Sequence, residues 1–113
     1  MAAKLQVHPA FYRRLRHYRA RVGVHDGRGR VAAKFVQATQ VLVLELLQNP
    51  HRGHTARFES TELSDILRIS VPGFPVFALF YRWNGDTLTV ITVEHTAQDL
   101  PPRLAEILSR PQD

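Results

Sequence analysis

Apolar and polar positions change their period along this chain, and the changes divide it into elements. Residues 4–8 make a short candidate strand. Pro9 follows where a first helical residue would stand; its fixed φ suits a helix start, and the N–H it lacks has no partner within a first turn anyway. Phe11, Leu15, Tyr18 and Val22 then recur at helical spacing, Arg13, Arg14, Arg16, His17 and Arg21 take the other faces, and Gly23 offers a C-terminal stop. The pattern predicts an amphipathic and strongly basic helix. Residues 25–30, His-Asp-Gly-Arg-Gly-Arg, read as a loop. A more apolar helix is predicted over 31–48 and ends at Asn49-Pro50. Its Phe35, Val36, Ala38, Leu42, Val43, Leu46 and Leu47 span a face wide enough to pack on both the first helix and a sheet.

Residues 51–65 are irregular and polar, and after them the period becomes two. In 66–71, Leu67, Ile69 and Val71 alternate with Arg68 and Ser70. Pro72-Gly73-Phe74-Pro75 turns the chain. Residues 76–83 are nearly continuously apolar, Asn84-Gly85 marks a tight hairpin, and 87–95 returns rich in β-branched residues, so the last two strands are antiparallel. After Asp99, Pro101 and Pro102 open a short final helix with Leu104, Ile107 and Leu108, and Arg110 near its end. The order predicts an α+β fold: an N-terminal strand, a helical hairpin packed on a mostly antiparallel sheet, and a short C-terminal helix. The sheet face away from the hairpin is the expected place for a site. With 113 residues, 44% of them hydrophobic, the chain fits a single domain, 1–113, with one modest core.

Composition narrows the function classes. With no cysteine there is neither disulfide nor thiolate chemistry. The longest unbroken apolar run is far short of the roughly 18 residues a membrane helix needs. No apolar stretch or small-residue cleavage pattern follows Lys4. The expectation is a cytoplasmic chain with no membrane partner. Fifteen Lys and Arg against ten Asp and Glu give a formal charge of +5, which points to an acidic partner, nucleic acid or protein, although a solvated basic surface produces the same sum. His51 and His54, with His8, His17 and His25, raise the question of a metal. No cysteine and no familiar ligand spacing accompany them, so loop histidines are the better account and no metal is expected. Gly27-Arg28-Gly29-Arg30 precedes a helix but has no preceding strand and no P-loop lysine; a connection is the better reading, and no cofactor is expected. Tyr18, Tyr81 and Trp83 have rings that stack on bases, yet all three lie in apolar stripes and read as core.

Three short motifs, in this order, resemble the RelE/ParE toxin superfamily across nearly the whole chain. The first is the early basic helix with Tyr18 and Gly23, then a helix finishing in Asn49-Pro50 with Gly53 shortly after. The second is Leu67-Arg68-Ile69-Ser70-Val71-Pro72-Gly73. The third is Leu79-Phe80-Tyr81-Arg82, Asn84-Gly85-Asp86, then Val90 to His95 and Asp99. The resemblance implies the toxin component of a type II toxin–antitoxin system, held by a cognate antitoxin through an extended acidic and apolar segment.

That superfamily carries two activities on one fold. One branch consists of ribosome-dependent ribonucleases, which need cations around the scissile phosphate of messenger RNA and a group to take the 2′-OH proton. The other poisons DNA gyrase and needs no catalytic residue. Arg68 stands at the first basic position of the sheet, but Ser70 and Ala78 stand where the nuclease branch carries further cations. Thr96-Ala97-Gln98 replaces a basic run after His95, and no tyrosine follows Tyr81. These departures favour the ParE branch, a gyrase inhibitor and not an enzyme, with Arg68, Arg82, His95, Asp99 and Arg103 as target-binding candidates. The alternative is an mRNA endoribonuclease acting at the ribosome, with Arg68 and Arg82 holding phosphate and His95 as acid or base. Plainer accounts stand beside these: His95 as a strand-end histidine capped by Asp99, Arg68 as an exposed strand arginine, and the arginines of the first helix as a solvated face or antitoxin contact.

Overall fold

The computed structural model describes residues 3–23 and 29–109. In chain order the elements are β1 (Lys4–Val7), α1 (Pro9–Gly23), α2 (Arg30–Gln48), a 3-10 turn (Pro50–Arg52), β2 (His54–Thr55), a second 3-10 turn (Thr61–Leu63), β3 (Leu67–Val71), β4 (Phe74–Trp83), β5 (Thr87–His95) and α3 (Leu100–Leu108). The five strands form one sheet in the order β1-β5-β4-β3-β2, with β1 parallel to β5 and every other pair antiparallel. The α+β architecture expected from the sequence is the one found. The 25–28 portion of the predicted loop, with His25, Gly27 and Arg28, and the helix-end residue Arg110 lie outside the described residues.

Differences from the expected boundaries have local causes. β1 stops at Val7 because His8 is the N-cap of α1: it is buried, and its Nδ1 accepts a hydrogen bond from Ala10 N–H at 3.0 Å, relieving one unpaired donor of the first turn. β4 begins at Phe74, two residues earlier than expected. The turn is confined to Pro72-Gly73, where Gly73 supplies the positive φ of 82°, and Phe74 already pairs with Val71. β2 was not legible because it is two exposed residues long, too short to show a period.

The α1–α2 hairpin covers one sheet face. Phe11, Leu15, Tyr18, Phe35, Leu42 and Leu46 pack there on Leu79, Tyr81, Leu88, Val90 and Val93. By length and composition α2 would suffice to cross a bilayer, but Ala32, Phe35, Thr39, Leu42, Val43 and Leu46 are buried within the protein. The other sheet face, where a site was expected, is covered as well. Leu63 and Ile66, with Leu100, Leu104 and Ile107 of α3, close over Ala78, Phe80 and Ile91 in a second core. Ile91 alternates with Val90 into this core, and a bulge follows: Phe80 pairs with Thr92 and Tyr81 with Val90, so the residue between is left over and Val93 returns to the hairpin side.

Tyr81 ties the loop after α2 to the sheet. Its buried hydroxyl donates to Pro50 O and accepts from Gly53 N–H, both at 2.9 Å. A Cβ on Gly53 would lie 2.4 Å from Tyr81 Oη and 2.8 Å from Arg68 O, so only glycine admits this approach. Burial raises the Tyr81 phenol above its ordinary pKa, against a smaller lowering by Gly53 N–H.

Candidate functional site

The sheet distributes the sequence candidates over two faces. Arg68 on β3 lies opposite Phe80, with Cζ 5.9 Å from its ring centroid. Arg82, two residues beyond Phe80 on β4, projects to the same side, toward the α3 core. Its guanidinium is already engaged: Nε donates to Asp65 Oδ1 at 3.0 Å and a terminal nitrogen to Glu62 O at 2.6 Å, strapping the 62–65 turn to the sheet. His95 pairs instead with Phe77. That position is five residues from Arg82 along β4, about 17 Å of strand, and projects to the opposite side. Arg68, Arg82 and His95 are therefore not brought around one point.

His95, Asp99 and Arg103 are neighbours on a continuous surface. His95 and Gln98 line one cleft, and Gln98, Asp99 and Arg103 line the next hollow with Pro102 and Glu106. His95 and Asp99 make no contact with each other; His95 Nδ1 accepts from Ala97 N–H at 3.0 Å instead. Asp99 is exposed at the N-cap of α3 and makes no side-chain capping bond. His51 and His54 are likewise exposed, and among the described residues no group of three acidic, histidine or cysteine side chains is placed to hold a metal.

The first cleft, about 460 Å³, lies between α1 and the end of the β4–β5 hairpin. His17, Tyr18, Arg21 and Val22 form one wall; Phe77, His95 and Gln98 form the other. What holds the walls together is a residue the sequence reading passed over. Glu94 is fully buried, and the Arg14 guanidinium donates to both its oxygens at 3.0 to 3.2 Å. Tyr18 and Thr92 hydroxyls donate to the same carboxylate at 2.9 and 2.7 Å. Gln98 Nε2 donates to Tyr18 Oη at 2.5 Å and so joins the start of α3 to the network. A buried carboxylate is tolerated only when its lone pairs are met in this way. The signal was available: Glu94 occupies a strand flanked by Val93 and His95 where polarity demands a partner, but the partner lies 80 residues earlier.

These groups set one another's charge. Burial opposes the charge on Arg14, but hydrogen bonding to Glu94 and its field outweigh that cost and leave the pKa above the ordinary arginine value. Burial raises the Tyr18 phenol, and the Glu94 carboxylate adds to the rise. Partial burial lowers His17, with Arg14, Arg21 and Arg103 lowering it further. At neutral pH the mouth of the cleft thus has fixed positive charge on Arg21 and an imidazole that resists adding to it.

A family model described as "ParE toxin of type II toxin-antitoxin system, parDE" matches residues 5–100, well over half of the chain. No curated protein matches. Among solved structures, the chain is similar to one from the chromosomal ParDE system of P. aeruginosa, with TM-score 0.67, 17% identity and coverage of 83% of this chain and 96% of that one. It is also similar to a YoeB/ParE toxin from Agrobacterium tumefaciens, with TM-score 0.55, 14% identity and coverage of 81% and 97%. A mutant of the E. coli toxin RelE in its free state gives TM-score 0.54, 17% identity and coverage of 97% and 98%. At these identities the structures establish a shared fold, while the family match runs from β1 to the first residue of α3. The chain belongs to the ParE toxin family of type II toxin–antitoxin systems.

Proposed function

We propose that the chain poisons DNA gyrase in the cytoplasm, inhibiting growth by binding and not by cutting RNA, and that a cognate antitoxin neutralises it. The observation that carries this reading is the separation of the candidate nuclease groups. Hydrolysis at a phosphate needs the cations and the proton-transfer group within hydrogen-bond reach of the same reacting atoms. Arg68 and Arg82 project to the α3 side, Arg82 is held by Asp65 and Glu62, and His95 lies at the other end of β4 on the hairpin side. A binding poison has no such requirement. The surface assigned to the target runs over His95, Asp99 and Arg103, where β5 passes into α3; Arg68 and Arg82 form a separate, secondary patch. The +5 chain charge suits an antitoxin segment that is acidic and apolar.

Purified protein is expected to inhibit gyrase supercoiling and to leave translated messenger RNA uncut. Full supercoiling activity at toxin excess, together with cuts phased to ribosome position, would overturn the assignment in favour of the endoribonuclease.

A further inference from the structure

The cleft between α1 and the end of β5 has the composition of an anion site. No carboxylate lines it, and Glu94 behind it has its oxygens occupied by Arg14, Tyr18 and Thr92. Tyr18 Oη donates to Glu94 while accepting from Arg14 and Gln98, so it presents no free lone pair to repel an anion. Beside the Gln98 carboxamide oxygen, what remains on the polar side is donors. Arg21 carries a fixed charge. On His95, the bond from Ala97 N–H to Nδ1 places the proton of the neutral ring on Nε2, which can then donate. His17 is the third, and its field comes from Arg14 and Arg21 on its own helix and Arg103 on α3, with only Glu94 opposing. Val22 and Phe77 give the same cleft an apolar wall. Its volume, about 460 Å³, exceeds what a bare phosphate ion fills and falls in the range of roughly 300–1,000 Å³ common to small-molecule sites.

We propose that this cleft binds a nucleotide phosphate, with the phosphoryl group on Arg21, His17 and His95 and the sugar and base against Val22 and Phe77. The site shares His95 with the surface assigned to the target but does not rest on the gyrase reading: it needs only the cleft. A free mononucleotide and the end of a nucleic-acid strand present the same group, and the experiment separates them.

The imidazole nitrogens of the full chain are followed by NMR during titration with thymidine 5′-monophosphate, with a single-stranded thymidine oligonucleotide, and with sodium chloride at matched ionic strength. Saturable shifts on both His17 and His95 are expected with the phosphorylated ligands, together with a rise in the His17 pKa as the bound anion offsets its arginine neighbours. Arg21→Gln should weaken binding about tenfold or more, the loss expected of one charge-assisted contact. Lys34→Gln, on an exposed part of α2, removes the same charge and should leave binding unchanged. Tighter binding of the oligonucleotide assigns the site to a strand; equal binding assigns it to the free nucleotide. Shifts no larger than the chloride control, or equal weakening by the Arg21 and Lys34 substitutions, would overturn the proposal. Inorganic phosphate binding as tightly as the mononucleotide would overturn the role of the apolar wall.

Discussion

Glu94→Ala is the perturbation that most directly tests how the cleft is held together. The substitution leaves Arg14, whose side chain is 16% exposed, without its counter-charge, and strips Tyr18 and Thr92 of an acceptor. Removing one partner of a buried ion pair costs about 3–5 kcal/mol, because the remaining charge stays desolvated. A domain of this size is stable by only about 5–15 kcal/mol, so the variant should lose about a fifth of its stability or more. With a urea dependence of about 2 kcal/mol per molar, the unfolding midpoint should fall by about 2 M. The sole tryptophan, Trp83, is half-buried at the far end of β4 and reports the transition by fluorescence. The double variant Arg14→Met, Glu94→Leu removes both charges and should recover much of the loss, since well-packed apolar pairs often replace buried ion pairs without penalty. If Glu94→Ala costs less than about 1 kcal/mol, the pair is behaving as a solvated one and the reasoning is wrong.

The remaining predictions use other contacts. Gly53→Ala should destabilise by about 1–3 kcal/mol through overpacking against Tyr81 Oη, and Tyr81→Phe, which removes that hydroxyl, should make the same alanine cheaper; additive unfolding free energies in the double variant would contradict the close approach. Arg82→Ala should cost no more than about 1 kcal/mol, because Asp65 is well exposed, and should raise amide exchange in the 62–65 turn; unchanged exchange there would show that the strap has no effect. His17 should titrate below an ordinary histidine, and Arg21→Ala should move its midpoint upward. Since the unfolded chain binds this proton more readily, the His17 contribution to stability is present above the ordinary histidine pKa and is lost as pH falls through the lowered value; an NMR titration showing no upward movement in the variant would refute the coupling. Toxicity in cells should fall more with Arg103→Ala than with Arg82→Ala, and the reverse order would move the target surface to the Arg68 and Arg82 patch.

Much of the fold was legible because its periods are long enough to count. The apolar spacing from Phe11 to Val22, the broad stripe from Phe35 to Leu47 and the Asn84-Gly85 signal each specify one local geometry, and each is found. What stayed hidden depends on pairings between distant segments. Val93 rather than Thr92 faces the helical hairpin only because of a bulge after Val90, and no local pattern announces a bulge of this kind. Leu63 reads as an isolated apolar residue in a polar stretch and Ile66 as the start of a strand, so neither announces the second core they help to close. The site was less legible than the fold for the same reason. Arg68, Arg82 and His95 are all polar residues in strands, but pleat and register decide which side each one takes. Arg14 and Tyr18 looked like ordinary parts of a basic amphipathic helix, and only the fold shows that they meet Glu94.

The central claim, a gyrase poison that does not cut RNA, is tested most directly by brief induction of this chain in cells, with DNA topology and RNA cleavage sites read from the same samples. The account predicts DNA cleavage trapped at gyrase with intact messages. Intact DNA with message cuts in phase with ribosomes would contradict it and move His95 into a catalytic role.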